Sequence, residues 1–339
     1  MALILKKATA EQLYEADVHT FPSWGAPQLT LAQYISREAA LRATAFALET
    51  LTGYVLVPAA DPDTRDILAY VEIFRRPVVY RVNDTTLRFD GYGVGSVYTP
   101  EKHRKRGYAT KMLAEVLALF EAARPPYIVS NLYSEIGSSY YGDKGWYVHP
   151  STQATIPISA LETDLPCPVL YAVDSHAALD HAVAATNAAM EATLQPGSAG
   201  FLLSASCIEW FQARSQFYGR TLRSLTSLPT VLGAYKVGGR GRISDVALWT
   251  HNFRDDQLVI LHWRVSPENT RAFLTRAAAE ARAWQLKEIV LWNAAMPAEL
   301  QQFVAPQEES LPSLLVRRQP DGADEPNVHW VGNEKYAWI

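Results

Sequence analysis

The run Gly95-Ser-Val-Tyr-Thr-Pro-Glu-Lys-His-Arg-Lys-Arg-Gly-Tyr-Ala109 constrains the fold more than any other stretch of the chain. Tyr92 to Thr99 is β-rich and is stopped by Pro100. Ala109, Met112, Leu113, Val116, Leu117 and Phe120 then recur at three and four residues, which predicts a helix over 107–122 with one apolar stripe. Pro125 and Pro126 end it, and Tyr127 to Leu132 resumes as a buried strand. Strand, short basic loop, helix, strand is a crossover unit; it turns right-handed and needs a parallel strand pair at its base. The fold class read from this unit is α/β with a mixed sheet.

The loop of that unit is shaped for an anion. Lys102, Arg104, Lys105, Arg106 and Lys111 surround the start of the helix. A first helical turn presents unpaired backbone N–H groups and a partial positive charge, and Gly107 with the small Ala109 lets a pyrophosphate approach the main chain. Arg104 and Arg106 can neutralise it. Taken alone, Arg-x-x-Gly-x-Ala is equally compatible with a solvated basic turn.

The flanks fit the same scheme. Leu3 to Leu5 reads as a strand, and Thr9 with Gln12 and Thr30 with Gln33 are capping boxes that start helices reaching Val18 and Leu41. Between them Phe21-Pro-Ser-Trp-Gly25 reads as a loop and a candidate lid. Gly53–Val57, Ile67–Phe74 and Val78–Val82 read as successive antiparallel strands separated by proline-containing breaks, the last at Arg75-Arg-Pro77. A short helix is expected over 136–141 and a strand over 146–148. Pro150 to Pro168 is turn-rich, placing a boundary near residue 160 and giving two domains, 1–160 and 161–339. In the second, helices over 175–194 and 204–223 precede three strands, a helix opened by Ser266-Pro267 and a strand over 289–292. That order repeats the first half as a weak duplication, but with no glycine before the Pro267 helix.

Thirty-one Lys plus Arg against thirty-five Asp plus Glu leave a net charge of -4, too balanced for a chain that coats nucleic acid. Two cysteines, Cys167 and Cys207, forty apart and without a CxxC, indicate neither a disulfide framework nor a metal cluster. No apolar run is long enough to span a membrane, and a cytoplasmic location is expected.

The residues around Gly107 resemble the GNAT (GCN5-related N-acetyltransferase) superfamily, whose acetyl-coenzyme A motif, Arg/Gln-x-x-Gly-x-Gly/Ala, follows the fourth strand. Arg104-Lys-Arg-Gly107-Tyr-Ala109 matches it, and Tyr141-Gly-Asp-Lys-Gly145-Trp146 is similar to the family's Tyr-x-x-x-Gly-aromatic. The resemblance covers roughly residues 1–155. It implies that the pantetheine arm of acetyl-CoA pairs with Val97, Tyr98 and Thr99, and that the pyrophosphate rests on Arg104, Lys105, Arg106, Gly107, Tyr108 and Ala109. Trp24-Gly25, Ser96-Val-Tyr-Thr-Pro100, Leu132-Tyr-Ser-Glu-Ile-Gly137, Trp146-Tyr-Val-His-Pro150 and the ending Asn333-Glu-Lys-Tyr-Ala-Trp-Ile339 together resemble the fungal lysine N6-acetyltransferases, in which a GNAT domain is followed by a second, GNAT-like one. That likeness implies free L-lysine as the small-molecule amine acetylated, at the start of lysine catabolism, with the second domain and the ending Asn333 to Ile339 contributing to the cleft.

Two side chains stand out for the chemistry. Period-two alternation puts Glu72 on one strand face with Tyr70 and Phe74; a carboxylate among aromatics is a proton acceptor, and its alternative is a pair with Arg75 or Arg76. Tyr141 is the candidate hydrogen-bond donor to the departing thiolate, its alternative a core aromatic. His149, His176 and His181 read as structural. A backbone N–H near Tyr98 or Thr99 is the expected oxyanion donor. The competing functions are acetylation of a peptide lysine or another small amine, and acyl-CoA binding without catalysis.

Overall fold

The computed structural model describes residues 2–161, 168–319 and 322–338. The first half runs β1 (Leu3–Lys7), α1 (Ala10–Trp24), α2 (Leu31–Arg42), α3 (Ala45–Thr50), β2 (Leu51–Pro58), β3 (Ala69–Val82), β4 (Thr85–Tyr98), α4 (Tyr108–Ala122), β5 (Tyr127–Ser134), α5 (Ser139–Gly142) and β6 (Tyr147–Val148). Both capping boxes form: Thr9 and Thr30 each accept from the N3 amide, and Gln12 and Gln33 reach back to the cap. The helix α1 runs on through Phe21 to Trp24, so the expected loop and lid there is the helix's last turn. Pro22 lacks an amide, but the Gly25 and Ala26 amides both close on the Phe21 carbonyl.

The strand β3 is also longer than expected, continuing through Arg75-Arg-Pro77. One of its edges takes β2 over Ala69–Phe74 and then β9 (Ser198–Phe201) over Val78–Arg81. Pro77 falls at the changeover between the two partners, where its missing N–H interrupts no ladder, and its carbonyl accepts from Leu202 at 2.9 Å. The crossover unit forms as the sequence predicts. The apolar stripe of α4 buries Met112, Leu113, Val116 and Phe120 against Val71, Ile73, Val94 and Ile128, and β4 pairs parallel with β5.

The second half runs β7 (Thr152–Pro157), β8 (Tyr171–Ala172), α6 (His176–Thr193), the strand β9 already placed, α7 (Ala205–Arg223), β10 (Gly233–Val237), β11 (Ile243–Asn252), β12 (Gln257–Arg264), α8 (Thr270–Ala283), β13 (Glu288–Trp292), β14 (Val304–Pro306), β15 (Leu311–Arg318) and β16 (His329–Trp330). It repeats the first: β12 pairs parallel with β13 as β4 does with β5. A one-residue bulge falls in the ladder of β11 with β12, as one does in that of β3 with β4.

The sheets do not follow the division near residue 160. Along the first sheet the order is β1-β2-β3-β4-β5-β15-β6; along the second it is β14-β7-β13-β12-β11-β10-β8. β7, which precedes residue 160, joins the second sheet between β13 and β14, whereas β15 from beyond it joins the first between β5 and β6, as β9 and β16 do at the edge of β3. The exchanged strands pair antiparallel with β13 and β5 over five and eight residues. Between the sheets lies a shared apolar core in which Phe74 and Val78 of the first and Val246, Leu248 and Leu261 of the second belong to one cluster with Ile208, Trp210 and Phe211 of α7.

Candidate active site

The parallel contact of β4 with β5 spans Tyr92–Ser130 and Gly93–Asn131 only. Beyond it the strands splay, and Val94 to Thr99 have no main-chain partner on the β5 side among the described residues. The bulge sits in this free stretch: Tyr70 faces Tyr98 while Glu72 faces Gly95, so three residues of β4 span two of β3, and Ser96 takes a left-handed φ of 52°. Val97 is half-buried against the α4 side, and the Thr99 hydroxyl is buried without a hydrogen-bond partner.

The basic loop follows. Arg104 folds back, donating from Nε to the Thr99 carbonyl at 3.2 Å and from Nη2 to the Tyr98 hydroxyl at 3.3 Å, with its guanidinium over the Tyr98 ring. Lys102 pairs with Asp66 and Lys111 with Glu115. Lys105 and Arg106 are exposed and have no ion pair among the described residues. Of the five cations expected around an anion, these two are thus free to take one, and Arg104 instead braces the strand end.

Gly107 caps α4 at φ 77°, with no side-chain cap, and a Cβ built there would meet nothing within 4 Å. Glycine is needed here for its conformation, and the space beside it is open. Lys105 is left-handed as well, at φ 62°, so the chain turns its amides toward one side just before the helix. Tyr108 and Ala109 complete the first turn, whose amides lack helical acceptors. An open backbone nest, two unpaired cations and an unladdered strand edge fit the diphosphate and pantetheine arm of a coenzyme A thioester.

The second unit closes the equivalent place with its own carboxylate. Asp245 accepts from the Ser266 amide at 2.7 Å, the Ser266 hydroxyl at 2.6 Å and Asn269 Nδ2 at 3.1 Å, at the turn leading into α8. Burial opposes the charge, but hydrogen bonds from Ser244, Ser266 and Asn269 hold its carboxyl below the usual range.

On the opposite face of β3 from α4, Glu72 is 9% exposed. Its Oε1 accepts from the Tyr70 hydroxyl at 2.8 Å and lies 3.4 Å from Arg42, and its Oε2 accepts from Ser96 at 2.7 Å. The Tyr70 neighbour expected from strand alternation is present. The expected pairing with Arg75 or Arg76 is not: Arg75 faces Asp90, while Arg76 is buried and donates to the carbonyls of Tyr336 and Ala337. The partner is Arg42 of α2, itself held bidentate by Asp17 of α1 at 2.7 Å on both arms. Burial pushes the Asp17 carboxyl up, and the Tyr70 phenol is raised by burial and by Glu72. Nothing local in the sequence marks Asp17 or Arg42, because the contact joins three elements.

Tyr141 is 8% exposed and packs with the α4 core, and its hydroxyl has no hydrogen-bond partner among the described residues. Burial pushes its phenol up. The neighbouring Tyr140 hydroxyl lies 3.3 Å from Thr110, which sets α5 beside the first turn of α4. Trp24 lies edge-on to Tyr98 at 5.9 Å. The segment from Asn333 is docked as far as Trp338, with Tyr336 and Ala337 fully buried. The Tyr336 hydroxyl donates to Phe201, and Asn131 donates to Ala337 at 3.0 Å. Ile339 and Cys167 lie outside the described residues, and Cys207 is buried. His149 packs on Trp330, and His176 is a surface group pairing with Glu209 and Asp180. Among the described residues no helix is long and apolar enough to cross a membrane, and no cluster of metal ligands occurs.

A family model, the LYC1 GNAT-like C-terminal domain, matches residues 172–339. The uncharacterized protein YGR111W of Saccharomyces cerevisiae is 24% identical over 287 residues, 73% of this chain and 69% of its own. A GCN5-related N-acetyltransferase from Kribbella flavida superposes with TM-score 0.59 at 14% identity, covering 94% of this chain and 72% of that one. N-myristoyltransferase of Saccharomyces cerevisiae, solved with myristoyl-CoA and inhibitors, gives 0.55 at 9% identity over 97% of this chain and 86% of its own. The second half of the chain thus matches a GNAT-like domain model, and the whole chain shares the fold of the GCN5-related N-acetyltransferases.

Proposed function

We propose that the protein transfers the acetyl group of acetyl-CoA to the side-chain amine of free L-lysine, in a ternary complex. The observation that carries the transferase reading is the open turn at Gly107 standing beside the unladdered edge of β4. The lysine reading is supported by the chain's likeness to the fungal enzymes, with Trp24 of α1 against Tyr98, Arg42 of α2 beside Glu72, and the C-terminal segment docked on Asn131 of β5.

The amine must first lose a proton. From a reference pKa of ~10.4, deprotonation at pH 7 costs about 4.6 kcal/mol. Glu72 supplies the acceptor through Ser96: the Ser96 hydroxyl already donates to Glu72, so its lone pairs remain to take the amine proton as its own passes on. The amine nitrogen then bonds to the acetyl carbon, the carbon–sulfur bond breaks, the thiolate leaves with the electron pair, and the second proton lost from the acylated nitrogen passes to that thiolate, giving neutral amide and free thiol. In this reading a backbone amide of the free β4 edge, near Tyr98 or Thr99, receives the carbonyl oxygen. Tyr141, whose phenol burial raises, serves the thiolate as a hydrogen-bond donor more readily than as a full acid.

Incubating the full chain with acetyl-CoA and L-lysine should yield, by mass spectrometry, a product heavier by one acetyl group at the side-chain nitrogen. Modification of peptides but not of lysine would move the reading to a protein acetyltransferase. Binding of acetyl-CoA with no acetylated amine across a panel would leave an acyl-CoA-binding protein.

A further inference from the structure

A second cavity of about 200 Å³ lies between α7, the turn joining β11 to β12, and the docked C-terminal segment. Arg214, Ser215, Arg254, Asp255, Lys335 and Trp338 line it. Its charges are unusual for an enclosed place. The Arg214 guanidinium lies 5.3 Å from the Trp338 ring centre, and Lys335 Nζ lies 4.0 Å from Trp338 and 4.4 Å from Trp292. Neither cation has an ion pair or hydrogen bond among the described residues. The Ser215 hydroxyl and Arg254 Nε are buried without hydrogen-bond partners, and Asp255 Oδ1 stands 3.9 Å from that Nε.

Removing cations from water without a counter-charge is costly, and aromatic faces recover only part of the loss. Among the described lining residues, three cations stand against one carboxylate and leave an excess positive charge in one small space. The segment is fixed just after Lys335, since Arg76 and Asn131 hold the carbonyls of Tyr336 and Ala337 and the Tyr336 hydroxyl is anchored on Phe201. Burial and the nearby Arg214 depress the Lys335 ammonium to about 7, against the opposing pull of Glu135 and Asp255.

Two chains of contact join this cavity to the splayed strands. Tyr218 lines it and hydrogen-bonds Arg37, which reaches the Trp24 carbonyl, and Trp24 lies on Tyr98 of β4. On the other side Lys335 sits over Trp292, which packs on Tyr133 of β5 at 5.7 Å.

We propose that this cavity is the recognition site for the α-carboxylate of an amino-acid substrate, held by Arg214, Lys335 and Ser215, with Asp255 taking the α-ammonium. The proposal rests on the amino-acid acetyltransferase reading above and adds the residues that select a zwitterion over a simple amine. A guanidinium offers the carboxylate a fork of donors, Lys335 a compact charge and Ser215 a hydroxyl proton.

The test compares L-lysine with cadaverine, its decarboxylated form, on wild type, Arg214→Gln and Arg214→Lys. The ratio of kcat/KM for lysine to that for cadaverine should fall at least tenfold in Arg214→Gln and recover in part in Arg214→Lys, with the change in KM. An unchanged ratio in a folded Arg214→Gln protein overturns the proposal. Should wild type acetylate neither amine, the acetyltransferase reading fails by itself, and titration with N6-acetyl-L-lysine decides the cavity. Binding that is lost in Arg214→Gln and not in a surface control such as Arg88→Gln supports it, and no binding to wild type overturns it.

Discussion

Replacing Gly107 separates folding from coenzyme binding at one atom. At φ 77° a residue with a side chain is strained by roughly 1–2 kcal/mol. No clash adds to this, since a Cβ would meet nothing within 4 Å. Gly107→Ala should therefore cost about 1–2 kcal/mol in urea unfolding if the turn keeps its shape, and Gly107→Val somewhat more because branching narrows its backbone choices. The added carbons occupy the open space where the diphosphate would rest on the amides. A hydrogen bond to a charged group is worth about 1.5–3 kcal/mol, so loss of one such contact raises Kd for coenzyme A about 10- to 100-fold. Calorimetric titration with coenzyme A and urea unfolding on the same samples give both numbers. A folded Gly107→Val protein that binds coenzyme A within twofold of wild type refutes the placement of the diphosphate on this turn.

Three further outcomes follow from side-chain surroundings. Tyr141→Phe should lower turnover at least tenfold with little change in coenzyme affinity, and should not lower the unfolding midpoint, because the hydroxyl it removes has no partner among the described residues. Glu72→Gln keeps the shape but weakens the hold on Ser96 and Arg42; turnover should fall tenfold or more, and stability by about 1–3 kcal/mol in urea. Lys335, depressed to about 7 in the folded protein, regains its ordinary affinity for a proton on unfolding. Between about pH 7 and 10 the unfolded chain binds the extra proton, so stability should rise with pH by up to about 1.4 kcal/mol per unit. Lys335→Met should flatten that slope across urea midpoints measured at pH 7, 8 and 9.

What could be read from sequence was whatever is local. The boxes at Thr9–Gln12 and Thr30–Gln33, the α4 stripe and the glycine at its start each declare themselves within one or two helical turns, and each formed. Local signals also misled where distant partners decide the matter. Pro77 reads as a break, yet it sits where two different strands divide one edge of β3. Phe21-Pro-Ser-Trp-Gly reads as a loop, yet Gly25 and Ala26 close the helix over it. Glu72 reads correctly as a strand-face carboxylate with Tyr70, but its cation comes from thirty residues away in α2, and no periodicity reports such a pair. Arg214 and Lys335 likewise meet only because α7 and the C-terminal segment are packed into one cleft.

That cleft is lined by the second half alone, and the strand exchange explains how it is held beside the first half's sheet. A site assembled from two independently folded domains is positioned only as well as the linker and interface allow. Here β15 lies between β5 and β6, and β7 lies between β13 and β14, so each sheet's hydrogen-bonded ladder contains a strand from the other half of the chain. Sliding the halves apart would break eight paired positions on β5 and five on β13, besides dividing the apolar core they share around α7. The ends of β5 and β13 are thereby held to one another, which keeps Tyr133 against Trp292, and Lys335 over Trp292. The two units thus differ at matching places: the first keeps its helix start open beside Gly107, while the second fills its own with Asp245.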